Sequence, residues 1–445
     1  MAGTSAGANS EASSAEGGSA GVASDLNGVT GAGDALGGAA AVSGGASNAS
    51  GASGGGTAGR QTSGGSASTG GVAGATKSPI RIGTVGTMSG PAGASLKPQA
   101  DGVRIWVRWI NDHGGLNGHP VEHLVGDDGG DPSRHRALVQ EFVEQRKVVA
   151  FVGNPEALTG QGSVDYLTKA GVPVVGSEGA GQWFYESPVY FPQGSTGNAL
   201  LQAGAYLTAV LNKPKGITKV GLINCVEVQV CRDATNKAPA VFKKYGMEVV
   251  YTAQASLAQP DFTAECLNAR QRGAQILSLG MDANSIRTIA QACIRQGYHP
   301  IFGWTAGSTV SAHATDPNLA GSQIASFVQG WPTSNTPRTR EFQDAMAKYA
   351  PGLDVAGGHM LGWVSGKVLE AGAAHLPEVA TPRALLEGLW ALHGDVLPDL
   401  TGPLLFNPGK PATPTVCNYA VTIQSGKFVS AYNSQRACTD YDYKL

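Results

Sequence analysis

The chain has 445 residues, and its 31 basic and 33 acidic side chains give a formal net charge of −2. So small an imbalance argues against nucleic acid or a charged membrane surface as the partner. The length allows two domains or lobes, each with its own hydrophobic core.

The first 77 residues differ in composition from the rest of the chain. They are nearly all Gly, Ala, Ser, Thr and Asn, and residues 1–76 contain no Phe, Tyr, Trp or Pro. Because so few apolar side chains cannot offset the entropy of ordering the backbone, we expect a disordered low-complexity tether over residues 1–77. A tail without a function is the alternative. We expect no membrane-spanning segment and no signal peptide at Met1.

From residue 78 onward, strand patterns alternate with helical patterns. Pro79–Gly86 alternates as a strand does, and a helical stripe follows within residues 103–110. Such alternation predicts parallel sheets covered by helices on both faces, with ligands at the carboxyl ends of the strands. The further predicted strands are Val121–Val125, Val148–Gly153, Val172–Val175, Lys219–Asn224, Met247–Thr252, Gln275–Gly280 and Pro300–Trp304. The further predicted helices are Pro132–Arg146, Gly160–Ala170, Thr196–Leu211, Asp233–Tyr245, Phe262–Arg272 and Ala283–Gln296.

The C-terminal part follows a different pattern. Three helices are predicted at Thr339–Tyr349, Gly358–Ala374 and Pro382–His393. The runs Cys417–Gln424 and Lys427–Tyr432 then predict a β-hairpin that turns at Ser425 and Gly426.

The run Asn111–Asp131 covers the end of the first helix, the second strand and the turn after it. It contains six potential metal ligands, namely His113, His119, His123, Asp127, Asp128 and Asp131. Pro120 and the preceding glycines stop the helix, so His119 and His123 belong to extended chain. Four residues of strand span roughly 13 Å, which is too far for two imidazoles to share a zinc ion. We therefore predict neither a metal site nor a cofactor.

The same run carries a family resemblance. Together with the following helix and strand, up to Asn154, it is similar to the signature of type I periplasmic-binding-protein-like receptors. The branch is the one that resembles leucine/isoleucine/valine-binding proteins of ABC importers. The loops Gly86–Gly93 and Ala170–Gly181 also match, in order. The signature positions in this chain are Ile110, Asn111, Gly114, Gly115, Leu116, Gly118, Asp127, Asp128 and Pro132.

The resemblance implies an α/β fold of two Rossmann-like lobes with parallel sheets, joined by a three-strand hinge that closes on a ligand. The N-lobe is expected at residues 78–193 plus 331–394. The C-lobe is expected at residues 194–330 plus 395–445.

The expected ligand site lies in loops at the strand ends. In the N-lobe, hydroxyls and backbone N–H groups suit a carboxylate or another polar anion, whereas Glu156 and Glu178 suit a cationic or hydroxyl-rich ligand. Capping of the backbone is the alternative role of the hydroxyls, and solvation that of the glutamates. The N-lobe candidates are Ser89, Gly90, Ala92, Asn154, Glu156, Thr159, Ser177, Glu178 and Gly179.

The C-lobe candidates are Glu227, Asp282, Trp304 and Thr305. Asp282 has helix capping as its alternative role, and Trp304 has core packing. Amino-acid binders of the family place an acidic residue in the loop that here reads Trp304, Thr305 and Ala306, and an aromatic residue where this chain has Ala92. An α-amino acid and a different small ligand therefore both remain open.

Six cysteines pair by neighbourhood as Cys225 with Cys231, Cys266 with Cys293, and Cys417 with Cys438, although sequence alone leaves other connectivities open. Free thiols and zinc are the alternatives, and zinc lacks the usual C-x-x-C pair. Disulfides, together with a tether like the surface spacers of secreted or lipid-anchored bacterial proteins, predict an extracytoplasmic location.

These patterns predict a binding protein and no enzyme, because no nucleophile elbow, P-loop or dinucleotide loop occurs. The expected partners are a small polar ligand, such as an amino acid or a related organic acid or amide, and an ABC permease. We expect a monomer that contacts a membrane only through a possible N-terminal lipid anchor. A ligand-sensing receptor of the same fold is the alternative function.

Overall fold

The computed structural model describes residues 74–445. Residues 1–73 of the predicted tether lie outside the described residues. The last residues of that segment are attached to the fold, since the backbone N–H groups of Thr76 and Lys77 donate to the Gly118 carbonyl at 3.1 and 3.0 Å. Lys77 Nζ also donates to the Leu376 carbonyl at 2.7 Å. Residues 76 and 77, at the end of the predicted tether, therefore contact the fold.

The ten predicted strands occur in the predicted order, with ends that shift by a few residues. Five further strands, at residues 190–191, 323–326, 393–394, 404–405 and 437–439, were not predicted, so the described residues form fifteen strands. They are β1 (Ile80–Gly86), β2 (Val121–Asp127), β3 (Ala150–Val152), β4 (Val174–Val175), β5 (Tyr190–Phe191), β6 (Lys219–Cys225), β7 (Glu248–Ala255), β8 (Ile276–Gly280), β9 (Ile301–Thr305), β10 (Gln323–Ser326), β11 (His393–Gly394), β12 (Leu404–Leu405), β13 (Val416–Gln424), β14 (Lys427–Ser430) and β15 (Ala437–Thr439).

The described residues form eleven α-helices, of which ten were predicted and the short one at residues 312–315 was not. They are α1 (Gly93–Asp112), α2 (Pro132–Glu144), α3 (Val164–Ala170), α4 (Gly197–Asn212), α5 (Gln229–Lys244), α6 (Thr263–Gln271), α7 (Ala283–Arg295), α8 (Ala312–Thr315), α9 (Pro337–Tyr349), α10 (Gly357–Gly372) and α11 (Pro382–Trp390). None of those between residues 74 and 445 is long and apolar enough to cross a membrane.

Two sheets define two lobes. The first lobe contains a parallel sheet of order β2-β1-β3-β4-β5. The second contains the order β14-β13-β10-β9-β8-β6-β7, parallel from β10 to β7. Strands β13 and β14 form the predicted antiparallel hairpin, in which Gln424 faces Lys427. The prediction of two parallel α/β layers is therefore confirmed.

The first lobe contains the segment from β1 to β5 together with helices α9 to α11. The stripe of α1 at Val103, Trp106, Val107 and Ile110 is buried, as its helical spacing predicts. It packs on α10, which is buried on nearly every side. The two backbones come very close, because a Cβ at Gly362 would overlap the Gln99 carbonyl oxygen. A larger residue at this crossing would force the helices apart.

Helix starts follow local capping chemistry. The Asp131 side chain accepts from the backbone N–H groups of Ser133 and Arg134 at the start of α2. The predicted helix Gly160–Ala170 begins differently, as a 3₁₀ turn over Gly160–Ser163 that precedes α3. Two glycines in this turn disfavour a regular α-helix there.

Three disulfides join the neighbouring cysteines of the predicted pairing. Cys225–Cys231 connects β6 to α5, Cys266–Cys293 connects α6 to α7, and Cys417–Cys438 connects β13 to β15. The residues of the third pair face each other in the antiparallel register.

Replacing both Cys266 and Cys293 with alanine should lower the free energy of unfolding by about 3–4 kcal/mol, because this bridge closes a long loop and restricts the unfolded chain. Its cysteines are 27 residues apart. The matched control replaces Cys225 and Cys231, 6 residues apart, and should cost about 2–2.5 kcal/mol. Chemical denaturation measures both losses. An equal or larger loss for the short loop would contradict the expectation.

Candidate functional site

A cavity of about 280 Å³ lies where the carboxyl ends of the two sheets face each other. This is where ligands bind in open α/β sheets. The cavity is lined mainly by apolar groups from both lobes, and it continues beneath α4 of the second lobe. Among the sequence-predicted residues, those in its wall are Ala92, Glu178, Gly179, Asp282, Trp304 and Thr305, together with Cys225 and Cys231.

Glu178 is the unusual polar group of this wall. It is only 7% exposed, and its Oε1 accepts from the Ala180 backbone N–H at 3.2 Å. Its Oε2 has no hydrogen-bond partner among residues 74–445. Burial raises the pKa of Glu178 to about 7. A wall residue with a buried, unpartnered carboxyl oxygen suits a ligand that donates a hydrogen bond or carries a positive charge.

The loop that presents Glu178 is fixed by its neighbours. Ser177 is fully buried; its hydroxyl donates to Thr196 Oγ1 at 3.2 Å and accepts from the Gly179 N–H at 2.9 Å. Its own N–H donates to Gln193 Oε1 at 2.6 Å. Ser177 therefore shapes the loop through internal bonds, and its side chain does not line the cavity.

Behind this wall, Asp128 organises a buried polar cluster. It accepts from the hydroxyls of Thr87 at 2.8 Å and Thr159 at 2.7 Å, and from the Gly130 N–H at 2.8 Å. His135 Nδ1 lies 2.9 Å from Asp128 Oδ2. With these donors around it, the buried carboxylate is fully partnered. Thr159 thus holds the first-lobe loops together.

Glu156 extends this cluster toward Glu178. It is 0% exposed, and its Oε2 accepts from Asn154 Nδ2 at 3.0 Å and lies 3.5 Å from His135 Nε2. Burial raises the pKa of Glu156 well above its usual 4.5, and the negative charge of Glu178 raises it further. Burial therefore disfavours the charged form of Glu156.

The cluster is not arranged as a catalytic triad, although it contains a hydroxyl, a histidine and an aspartate. The Thr159 hydroxyl donates to Asp128, and His135 Nε2 faces Glu156. All of these side chains are buried, so no nucleophile is presented to the cavity. The arrangement supports the loops that form the cavity wall.

The cavity-lining residues of the second lobe also have structural roles. Asp282 accepts from the Ser285 N–H at 2.7 Å and caps α7, yet it also lines the cavity. Trp304 Nε1 donates to Thr309 Oγ1 at 2.9 Å, and its ring packs edge-on against His313. Both residues therefore combine a packing role with a place in the wall, while Thr305 lies next to them.

Several sequence-predicted residues lie elsewhere. Ser89 and Gly90 are exposed and do not line the cavity. Glu227 is exposed too, and it accepts from the Ser256 hydroxyl at 2.7 Å and the Leu257 N–H at 2.8 Å. Asn154, Glu156 and Thr159 form the buried layer behind the wall. Their assignment to the ligand stays a prediction.

The three histidines that suggested a metal have separate partners. His113 contacts the Trp109 carbonyl, His119 contacts the carbonyls of Ser78 and Pro377, and His123 contacts Thr84 Oγ1. Burial lowers the pKa of His123 to about 4. Each imidazole therefore serves local packing.

Sequence reasoning missed several cavity residues, including Ser95, Asn224 and Gly204. Ser95 begins α1 just after the predicted loop, and its oxygen accepts from the Ala283 N–H of the other lobe at 3.1 Å. Asn224 ends a predicted strand, so its position at the sheet edge was an available signal. Gly204 lies inside a helix, where only its cost to helix stability could have marked it.

Comparison with known proteins gives the class of this chain. The family model described as "Periplasmic binding protein" matches residues 79–427. The chain therefore belongs to the periplasmic binding protein family, and its fold is that of the type I branch. The relatives below carry names of binding proteins.

A curated relative is the Leu/Ile/Val-binding protein homolog 4 of Brucella abortus, 30% identical over 94 residues. That match spans 21% of this chain and only 23% of the relative's length.

Two solved structures share the fold over most of the chain. A possible leucine/isoleucine/valine-binding protein from Rhodopirellula baltica has a TM-score of 0.70 at 15% identity, covering 80% of this chain and 97% of that one. A fatty acid ABC transporter substrate-binding protein from Thermomonospora curvata has a TM-score of 0.64 at 16% identity, covering 80% and 92%. At such identities the similarity establishes the fold alone.

Replacing Glu156 with glutamine should remove part of the loss of stability at high pH. A carboxyl whose pKa is raised by folding stabilises the fold fully below its unfolded pKa, near 4.5, and this contribution is lost as the pH rises toward the folded value. Over that window the wild-type unfolding free energy should fall by up to about 1.4 kcal/mol per pH unit relative to the variant. Urea denaturation from pH 4 to pH 8 measures this.

The control is Glu186→Gln, at an exposed glutamate of the same lobe. It should leave the pH profile unchanged. Parallel profiles for wild type and Glu156→Gln would show that folding does not raise the pKa of Glu156.

Proposed function

We propose that this chain is an extracytoplasmic solute-binding protein. It captures a small ligand between its lobes by hinge closure and delivers it to the permease of an ABC importer. The observation that carries the proposal is the cavity between the strand ends of two α/β lobes, with walls drawn from both. Membership in the periplasmic binding protein family supports it.

Contacts between the lobes provide the physical basis of closure. Ala283 N–H donates to Ser95 Oγ across the cleft, between residues 188 positions apart. Gly307 of the second lobe lies against the Glu178 carbonyl of the first. A ligand that contacts both walls binds the closed form better than the open form, so its binding free energy shifts the population toward closure.

The cavity chemistry sets limits on the ligand. Its wall is mainly apolar, and its charged groups between residues 74 and 445 are the carboxylates Glu178 and Asp282. Relatives are named for ligands as different as branched-chain amino acids and fatty acids, so family membership leaves the ligand open. The proposed ligand has an apolar body and a group that can pair with Glu178.

The proposed location and partners follow from the family and the disulfides. Three disulfides within the described residues suit an oxidising compartment outside the cytoplasm. The permease would receive the closed, loaded form of a monomeric binding protein. A lipid anchor at the N-terminal side belongs to the same proposal.

A thermal-shift screen against amino acids, aromatic acids, amides, polyols, sugars and amphiphilic amines tests the binding role. A ligand at 100 times its dissociation constant should add about 2.7 kcal/mol to the free energy of unfolding. If no compound in this panel raises the melting temperature, the solute-binding proposal fails.

Ser95→Ala should weaken any ligand found in that screen, because it removes a hydrogen bond made across the cleft. The expected loss is about 0.5–1.5 kcal/mol, roughly threefold to tenfold in the dissociation constant. Ser322→Ala is the matched control, since the Ser322 hydroxyl is buried, has no partner among the described residues and does not line the cavity. Calorimetry that gives equal affinities for Ser95→Ala and Ser322→Ala would contradict closure through this contact.

A further inference from the structure

The cavity does not end at the cleft. It extends beneath α4 as a slot between that helix and the second sheet, hereafter the α4 slot. The roof is the α4 stripe from Gly197 to Leu211, which spans roughly 21 Å at 1.5 Å per residue. Gly204 lies near the middle of this stripe, and a Cβ there would meet no atom within 4 Å.

The floor of the α4 slot is a row of side chains in register across four strands. Leu222 pairs with Ser278, Ser278 with Gly303, and Gly303 with Gln323. All four line the cavity, and the two central residues are small. A Cβ at Gly303 would meet only the Gln323 carbonyl oxygen, at 3.5 Å.

Small residues on both faces explain why the space is open. Gly204, Ala205 and Thr208 of the roof and Ser278 and Gly303 of the floor all line the cavity. Protein interiors normally close such gaps, since side chains interdigitate at crystal-like density. An elongated apolar gap between a helix and a sheet is therefore space for an occupant.

Two of the polar side chains that line the α4 slot, Thr208 and Gln323, are already paired. Asn212 Nδ2 donates to Gln323 Oε1 at 2.8 Å, and Gln323 Nε2 donates to Asn212 Oδ1 at 2.9 Å. The Thr208 hydroxyl donates to the Gly204 carbonyl at 2.8 Å. An occupant therefore needs no polar group opposite Thr208 or Gln323, and an apolar chain suits the mainly apolar slot.

The cleft end of the cavity is different. Glu178 is buried there with one carboxyl oxygen unpartnered among the described residues, and Asp282 lies in the same wall. No Lys, Arg or His from residues 74–445 lines the cavity. A ligand carboxylate would meet two acidic groups and no cation, whereas an ammonium group would find a partner.

We propose that the ligand is a cationic amphiphile, with an amine bound at Glu178 and an unbranched apolar chain in the α4 slot. This inference rests on the proposed solute-binding function and specifies its ligand class. The cleft selects the amine, and the slot selects the chain by length.

Calorimetric titration with butylamine, octylamine and dodecylamine, kept below micelle-forming concentrations, tests the chain. Affinity should rise with each methylene that enters the α4 slot, by up to roughly fourfold per group. Dodecanoate tests the head group and should bind at least about tenfold more weakly than dodecylamine. Dodecylamine that binds no more tightly than butylamine would overturn the slot, and dodecanoate as tight as dodecylamine would overturn the amine.

Gly204→Leu places a side chain in the α4 slot, and Gly204→Ala is the matched control at the same position. Both replace a glycine inside a helix with better helix formers, so folding is preserved. Gly204→Leu should weaken dodecylamine at least about tenfold and leave butylamine unchanged, because only the long chain reaches the slot. Gly204→Ala should bind both like wild type. Equal losses for the two amines would overturn the slot assignment.

Glu178→Gln should weaken all three amines by a similar factor, because the head group is common to them. If the amines bind Glu178→Gln as well as wild type, the head-group assignment is wrong. If no amine binds but another solute raises the melting temperature, this inference fails while the solute-binding function stands. If neither amines nor any other solute binds, both fail.

Discussion

The crossing of α1 and α10 is the contact on which the rest of the site depends. The helices touch backbone to backbone, because a Cβ at Gly362 or Gly102 would overlap the opposite helix. This places α10 against the strand ends of the first lobe, where Gly176 turns with φ +89° and lies against the Ser365 side chain. The loop that carries Glu178 begins at this turn. Helix packing, rather than loop sequence alone, therefore fixes the first-lobe wall.

The two walls of the cleft differ in their chemistry: a buried polar cluster lies behind the first, and an open apolar volume lies beside the second. Behind the first wall, Asp128, His135 and Glu156 form a buried chain of contacts, and burial raises the pKa of Glu156 well above its usual value. Glu156 does not line the cavity, so Glu178 is the acidic group that the first lobe contributes to the cavity wall. The second lobe instead has small residues beneath α4, so an apolar volume stays open next to the Glu178 carboxyl group. Sites for small molecules commonly combine an apolar pocket with a few polar groups.

Much of the fold could be predicted from sequence, because strand and helix periods are local. The stripe of α1 and the hairpin at Ser425–Gly426 are examples. The roles of single residues were harder, since they depend on contacts between distant segments. Ser89 was predicted to contact the ligand but is exposed, and Ser95 reaches the other lobe only because the lobes meet. Likewise, Gly303 and Gly204 become neighbours of one slot only after the second sheet has formed.

The proposed function requires that a ligand close the two lobes around the cavity. Small-angle X-ray scattering of the chain during titration with a ligand that raises its melting temperature tests this most directly. The radius of gyration should fall in a saturable way, with the same midpoint as calorimetric binding, because closure and binding are one equilibrium. A radius of gyration that stays constant while calorimetry shows saturation would contradict hinge closure as the mechanism.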